Sequence, residues 1–75
     1  MDDAKFQNVV ASIDRIEPGL LSRAIKHVET KMMLTTLLNG EYPSKTLVRS
    51  TLFDFLKEHH TRRETKSLIR ELQAL

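Results

Sequence analysis

The sequence predicts an all-α fold, a small four-helix domain whose helices form an orthogonal or bundle-like array. Apolar residues recur at the three- and four-residue spacing of amphipathic helices, and the two-residue alternation of half-buried strands is missing. Glycine and proline fall at only two places, Pro18-Gly19 and Gly40 with Pro43, which divide the chain into helical segments. Because 75 residues hold one core, we expect a single helical domain over residues 1–75.

The first helix is predicted at about residues 2 to 15. Its apolar residues have the i, i+3, i+4, i+7 spacing that places them on one face: Phe6, Val9, Val10 and Ile13. Asp2 or Asp3 can cap its first turn, where a carboxylate also interacts well with the positive end of the helix dipole.

The second helix is expected to hold Pro18 in its first turn and to end at Asn39, because proline fits the start of a helix. Gly40 follows as the left-handed residue that commonly ends a helix. Ser44 can then cap a third helix that runs to about Glu58. The main apolar stripe of that helix is Val48, Leu52, Phe55 and Leu56, flanked by Leu47 and Phe53.

The last helix opens with Thr61-Arg62-Arg63-Glu64, which matches a capping box. In such a box, the side chains of Thr61 and Glu64 would each accept a hydrogen bond from a free backbone N–H. The apolar face of this helix is Leu68, Ile69, Leu72 and Leu75.

The second helix carries apolar residues on two opposite sides. At about 100° per residue, Leu21, Ala24, Ile25 and Val28 form one side, called the early side. Met33, Leu34, Leu37 and Leu38 form the opposite, late side. Burial of one such large side chain stabilises a fold by about 1.5 to 3 kcal/mol, so both sides should be covered. A docking surface on this helix requires that residues 20 to 38 form one continuous helix.

Three arrangements would cover both sides. The helix could lie centrally, with the first helix on its early side and the third and fourth helices on its late side. It could instead break near Glu29-Thr30-Lys31, so that two shorter helices both face inward. In the third arrangement, a second copy of the chain or another protein covers the late side, because short chains often gain core by association.

The function predicted from this pattern is a non-enzymatic adaptor or regulatory protein that acts through protein contacts as a homodimer. Its partner is another protein or a second copy of itself. Methionine adapts to varied partners, although at helical spacing it also fills ordinary cores. The predicted protein interface is Met33, Leu34, Leu37, Leu38 and Phe53.

The alternative function is that of a small DNA- or RNA-binding regulator. Arg62, Lys66 and Arg70 repeat every four residues along one row of the last helix, with Arg63 and Ser67 beside it. Like charges at this spacing destabilise a helix slightly, and a phosphate backbone would compensate them. The structural alternative is a solvated row, screened by nearby glutamates. The part of the chain from residue 44 onward is basic, since it holds seven Lys or Arg against four Asp or Glu, and an anionic partner would contact this part.

No residue pattern predicts catalysis, a cofactor or a small-molecule substrate. Gly-rich phosphate loops and the nucleophile and zinc-protease motifs are missing, and Asp2-Asp3 lies at the terminus. His59 and His60 are adjacent and point about 100° apart on a helix, which does not suit a shared metal ion. With no apolar run long enough for a bilayer and a polar start, we expect a cytoplasmic protein without a membrane contact.

Overall fold

The computed structural model describes residues 3–75, so the predicted cap at Asp2 lies outside the described residues. The fold is all-α, as predicted, and residues 3–75 contain four helices and no strand. The helices are α1 (Asp3–Ile16), α2 (Leu20–Asn39), α3 (Lys45–His59) and α4 (Arg63–Ala74). Three short connections join them.

The helices pack as two pairs. α2 packs mainly along α3 and α1 along α4, while α1 touches α2 and α3 touches α4. Within residues 3–75, no pair of Cα atoms within 8 Å joins α1 to α3 or α2 to α4. The molecule is flat, with principal extents of 38 × 28 × 15 Å. Its radius of gyration is 13.2 Å, whereas a compact domain of this length has about 11 Å.

One core is shared by all four helices. Its buried apolar side chains are Val9, Ile13, Leu20, Ala24, Phe53, Leu56, Ile69 and Leu72. Partly buried side chains pack around it: Val10, Leu21, Leu52, Phe55 and Leu68. The predicted faces of α1 and α4 therefore supply core residues, although Phe6 and Leu75 at their ends stay largely exposed.

Two predicted helix ends are confirmed. Ser44 caps α3, and its side-chain oxygen accepts a hydrogen bond of 3.1 Å from the Leu47 N–H. Gly40 follows α2 at φ 73°, and its N–H donates to the Thr36 carbonyl at 2.8 Å.

The left-handed backbone conformation of Gly40 can be tested by substitution. No atom lies within 4 Å of where a Cβ would stand, so only backbone strain opposes a side chain there. We expect Gly40→Ala to lower the free energy of unfolding by about 1 kcal/mol, with Gly40→Asn recovering part of it because asparagine tolerates this conformation. Urea denaturation followed by circular dichroism measures both. Equal stability of Gly40→Ala and wild type would contradict the assigned backbone conformation.

The predicted starts of α2 and α4 are both wrong. Pro18 lies in a turn before α2, since the Leu20 N–H donates to the Glu17 carbonyl at 3.2 Å and Gly19 has φ 90° and ψ −17°. With Pro18 at its second position and these dihedral angles at its third, the turn is of type II. The helix α2 therefore begins at Leu20, two residues after Pro18.

Glu17, from the α1–α2 turn, replaces the predicted capping box at α4. The helix begins after Arg62, whose side chain makes no cap hydrogen bond. Instead, Oε1 of Glu17 accepts hydrogen bonds of 2.8 Å from the N–H groups of both Thr61 and Arg62. A carboxylate at this position also interacts favourably with the positive end of the α4 dipole. A residue 44 positions earlier in the chain thus accepts the Thr61 N–H that the side chain of Glu64 was expected to accept.

Glu17 is 8% exposed, and its pKa is set by two opposing effects. Burial raises the pKa, but hydrogen bonding to the charged form outweighs it, so the pKa lies below the ordinary value of 4.5. The Thr61 and Arg62 N–H groups donate these hydrogen bonds, and the nearby hydroxyls of Thr65 and Thr61 also favour the charged form. The fully buried Thr65 hydroxyl faces this carboxylate, although no partner in residues 3–75 lies at normal hydrogen-bond distance from it.

Candidate protein interface

The candidate interface lies at the C-terminal end of α2. This helix has 20 residues, against 15, 14 and 12 for the others, and its only buried residues are Leu20 and Ala24 in the first two turns. At 1.5 Å per residue, it is about 30 Å long, so its last turns lie away from the shared core. α3 and the loop between α2 and α3 lie along one side of those turns, where Met32, Thr35 and Thr36 are partly buried.

The opposite side of the same turns is exposed and apolar. We call it the α2 apolar face, and its side chains are Met33 (62% exposed), Leu34 (53%), Leu37 (74%) and Leu38 (83%). Isolated exposed apolar residues are normal on a protein surface, but four large ones in six positions of one helix form a continuous patch.

These exposures decide between the arrangements that the sequence left open. α2 is continuous through Thr30, so the predicted alternative of a break is wrong. The arrangement with α3 and α4 on its late side is also wrong, because the α2 apolar face has no helix against it in residues 3–75. Coverage by a second molecule stays a prediction.

Polar groups near this face are satisfied within the helix. The Thr30 hydroxyl, on the same side of α2 as this face, donates to the Lys26 carbonyl at 3.0 Å, and the hydroxyls of Thr35 and Thr36, on the covered side, donate to the carbonyls four residues earlier at 2.9 Å. Their hydrogen-bonding capacity is therefore partly used inside α2, and contact with another apolar surface would cost little additional desolvation.

Tyr42 extends the patch and was missed by the sequence analysis. It is 92% exposed, and with Pro43 it lines a shallow hollow beside Met33 and Leu37. The signal in the sequence was the lone tyrosine of the chain, placed in the loop directly after the helix. Aromatic residues are enriched in protein interfaces, and an exposed loop tyrosine next to an apolar patch fits that pattern.

Phe53 does not join the α2 apolar face. Only 4% of it is exposed, and its ring belongs to the shared core, with the Arg49 guanidinium 5.1 Å from the ring centroid. The predicted flanking position on α3 was therefore incorrect. The side chain lines a separate apolar groove between α1, α2 and α3.

The residues predicted to contact nucleic acid, at the start of α4 and along it, are all exposed: Arg62, Arg63, Lys66, Ser67 and Arg70. Lys66 and Arg70 share one hollow with Lys57 and His60 of the α3 end, whereas Arg62, Arg63 and Ser67 do not line it. Glu58, Glu64 and Glu71 are exposed as well, so the alternative of a solvated row screened by nearby glutamates stays a prediction.

The histidines have structural contacts. Nδ1 of His60 lies 3.0 Å from the Leu56 carbonyl, at the end of α3. His27 and His59 lie against Phe55, with ring centroids 4.9 and 4.2 Å apart. Over residues 3–75, no group of three or more potential metal-binding side chains comes together. None of the helices in that range is long and apolar enough to cross a bilayer.

Comparison with known proteins adds no family assignment. No family model, curated protein or solved structure matches this chain.

Proposed function

We propose that this protein is a non-enzymatic helical module that acts through protein contacts, and that its α2 apolar face binds the same face of a second copy. The observation that carries the proposal is the exposed area. The chain exposes 5699 Å², whereas a monomer of its 8.7 kDa mass is expected to expose about 4,700 Å². The excess of about 1,000 Å² is close to the roughly 800 Å² that each partner buries in a standard interface.

The charges around the face favour an antiparallel pairing of the two helices. If the two-fold axis passes between Thr35 and Thr36, Leu34 meets Leu37 of the other copy, and Met33 meets its Leu38. The same register brings Lys31 to the end of the opposing helix, next to Glu41. That end carries a partial negative charge, and the last turn of α2 contains no basic residue to compensate it. A parallel pairing would instead set Lys31 against Lys31.

The mass of the wild-type protein in solution tests this proposal. Multi-angle light scattering over a range of concentrations should show a transition from 8.7 kDa towards twice that mass. A mass that stays at the monomer value at every concentration would overturn self-association.

A second candidate function, nucleic-acid binding, is favoured by one observation. Lys66 and Arg70 of α4 lie with Lys57 of α3 around one hollow, and none of the three forms an ion pair within residues 3–75. A cluster of unpaired cations from two helices attracts phosphate more strongly than a single row does.

Charge reversal tests this second candidate. We expect Lys66→Glu with Arg70→Glu to abolish a salt-sensitive shift of duplex DNA, with an unchanged helical circular dichroism signal. The matched control is Arg15→Glu with Lys26→Glu, which gives the same net charge at exposed positions elsewhere. If both double variants lose binding equally, net charge rather than this hollow is responsible. If the wild type fails to bind at low salt, the candidate is excluded.

A further inference from the structure

A second apolar surface lies between α1, α2 and α3. It is a groove of about 630 Å³, open to solvent on one side. Each of the three helices contributes a pair of incompletely buried apolar side chains to its walls: Phe6 and Val10, Leu21 and Ile25, and Val48 and Leu52. Core side chains, including Phe53 and Leu56, form its floor.

The groove results from how the helices pack. Because the backbones of α1 and α3 do not meet, the four helices leave a gap along one side of the core. Phe6 is 40% exposed and Ile25 is 54% exposed, so the apolar side chains at the mouth of this gap are not covered by residues 3–75. The groove is thus an apolar surface built from three elements, independent of the α2 apolar face.

The charges at the edge of the groove are all of one sign. Lys45 and Arg49 line it, and no described residue among its lining side chains is acidic. Arg49 is held in place, because its guanidinium donates to the Gln73 carbonyl and lies over the Phe53 ring. A guanidinium has five N–H donors, so several remain for a carboxylate. A pre-positioned cation loses little side-chain entropy when it binds an anion.

From this geometry we infer that the groove binds an amphipathic helix of another protein, whose apolar stripe carries acidic residues on its flank. An open groove covers only one side of its occupant, which suits a helix with one apolar face. Small ligands instead bury most of their surface in closed pockets. The α2 apolar face of a second copy fits less well, because the flanking charge that precedes it, Lys31, has the same sign as Lys45 and Arg49 at the edge of the groove.

Two synthetic peptides of about 15 residues test the inference, a length at which a helix forms readily on binding. Both carry leucines at i, i+3, i+4 and i+7; one has glutamates and the other lysines along the flank. Fluorescence anisotropy gives the affinities, and methyl NMR locates the site. We expect the acidic peptide to bind at least tenfold more tightly and to shift the methyl signals of Val10, Ile25 and Leu52.

Variants of the groove make the test specific. Lys45→Glu should reduce the preference for the acidic peptide several-fold, and Ile25→Glu should abolish binding of both peptides. Leu47→Glu is the matched control, because Leu47 is an exposed leucine of α3 that does not line the groove. Should Ile25→Glu fail to fold, Lys45→Glu, at an exposed position, keeps the comparison valid.

Four results would overturn the inference. Two of them are absence of binding and equal binding of the two peptides. The third is methyl shifts at Met33 and Leu37 instead of at the groove. The fourth is tighter binding of decanoate, a small apolar anion, than of the acidic peptide. Leu37→Glu, a variant of the α2 apolar face that is expected to disrupt the proposed dimer, should bind the acidic peptide as wild type does. Failure of the groove and failure of self-association are therefore distinguishable.

Discussion

Leu37→Glu is expected to convert a self-associating protein into a folded monomer. Leu37 is 74% exposed in the single chain, so a charged residue there should change the free energy of unfolding of the monomer by about 0.5 kcal/mol or less. In the antiparallel dimer, however, the substitution places two carboxylates in the centre of the interface, without cations to pair with them. We expect dimer affinity to fall at least about 100-fold, which corresponds to about 2.7 kcal/mol.

Light scattering and circular dichroism together check this result. The variant should keep the wild-type helical signal and give the monomer mass at concentrations where the wild type is dimeric. Leu47→Glu is again the matched control, since it introduces the same charge at an exposed leucine outside the α2 apolar face, and it should leave the dimer intact. Unfolding of Leu37→Glu would contradict the exposed position of Leu37.

Lys31→Glu then tests the antiparallel register. The substitution lies beside the α2 apolar face and removes no apolar contact. If Lys31 meets Glu41 and the negative helix end of the other copy, reversing its charge should weaken the dimer several-fold, and Glu41→Lys in the same chain should restore part of the affinity. An unchanged dimer would argue for another register, while the apolar contact itself would stand.

Local sequence signals predicted the helices but not what covers them. Helical spacing and the residues Ser44 and Gly40 gave the number of helices and two of their ends, because such signals act within a few residues. The two-sided pattern of α2 showed that a second contact was needed. It did not show that the late side stays open, since this depends on how far α3 and α4 extend along α2.

Apart from the start of α2, which a local turn at Pro18-Gly19 sets, the errors have their origin in long-range contacts. Thr61 and Glu64 match a local capping pattern, but the carboxylate of Glu17, at the end of α1 that packs along α4, accepts the Thr61 N–H in place of the Glu64 side chain. Phe53 lies beside the clearer stripe of α3 in sequence, and the packing of the four helices places it in the shared core. The groove between α1 and α3 left no local signal, because it is a gap between elements.

The buried carboxylate of Glu17 should make a large contribution to monomer stability. Glu17→Ala leaves the Thr61 and Arg62 N–H groups at the start of α4 without their acceptor and opens a space beside Thr65. Each lost acceptor costs about 1 to 3 kcal/mol when fully buried, and partial access of water to these two groups reduces that cost. We therefore expect a loss of about 2 kcal/mol, or a fall in Tm of roughly 8 to 16 °C, measured at one fixed protein concentration.

The acid sensitivity of this contribution has a definite sign. Because the pKa of Glu17 is lower in the folded protein than its ordinary value of 4.5, the folded state binds this proton less readily than the unfolded state. The stabilisation is fully present above about pH 4.5 and is lost as the pH falls through the lower pKa of the folded state. Glu17→Gln is the control, since it keeps the shape and cannot ionise. The difference in free energy of unfolding between wild type and Glu17→Gln, from urea titrations, should be constant near neutral pH and shrink below pH 4.5. A difference that grows on acidification would mean that burial, not the α4 N–H groups, controls the pKa of Glu17.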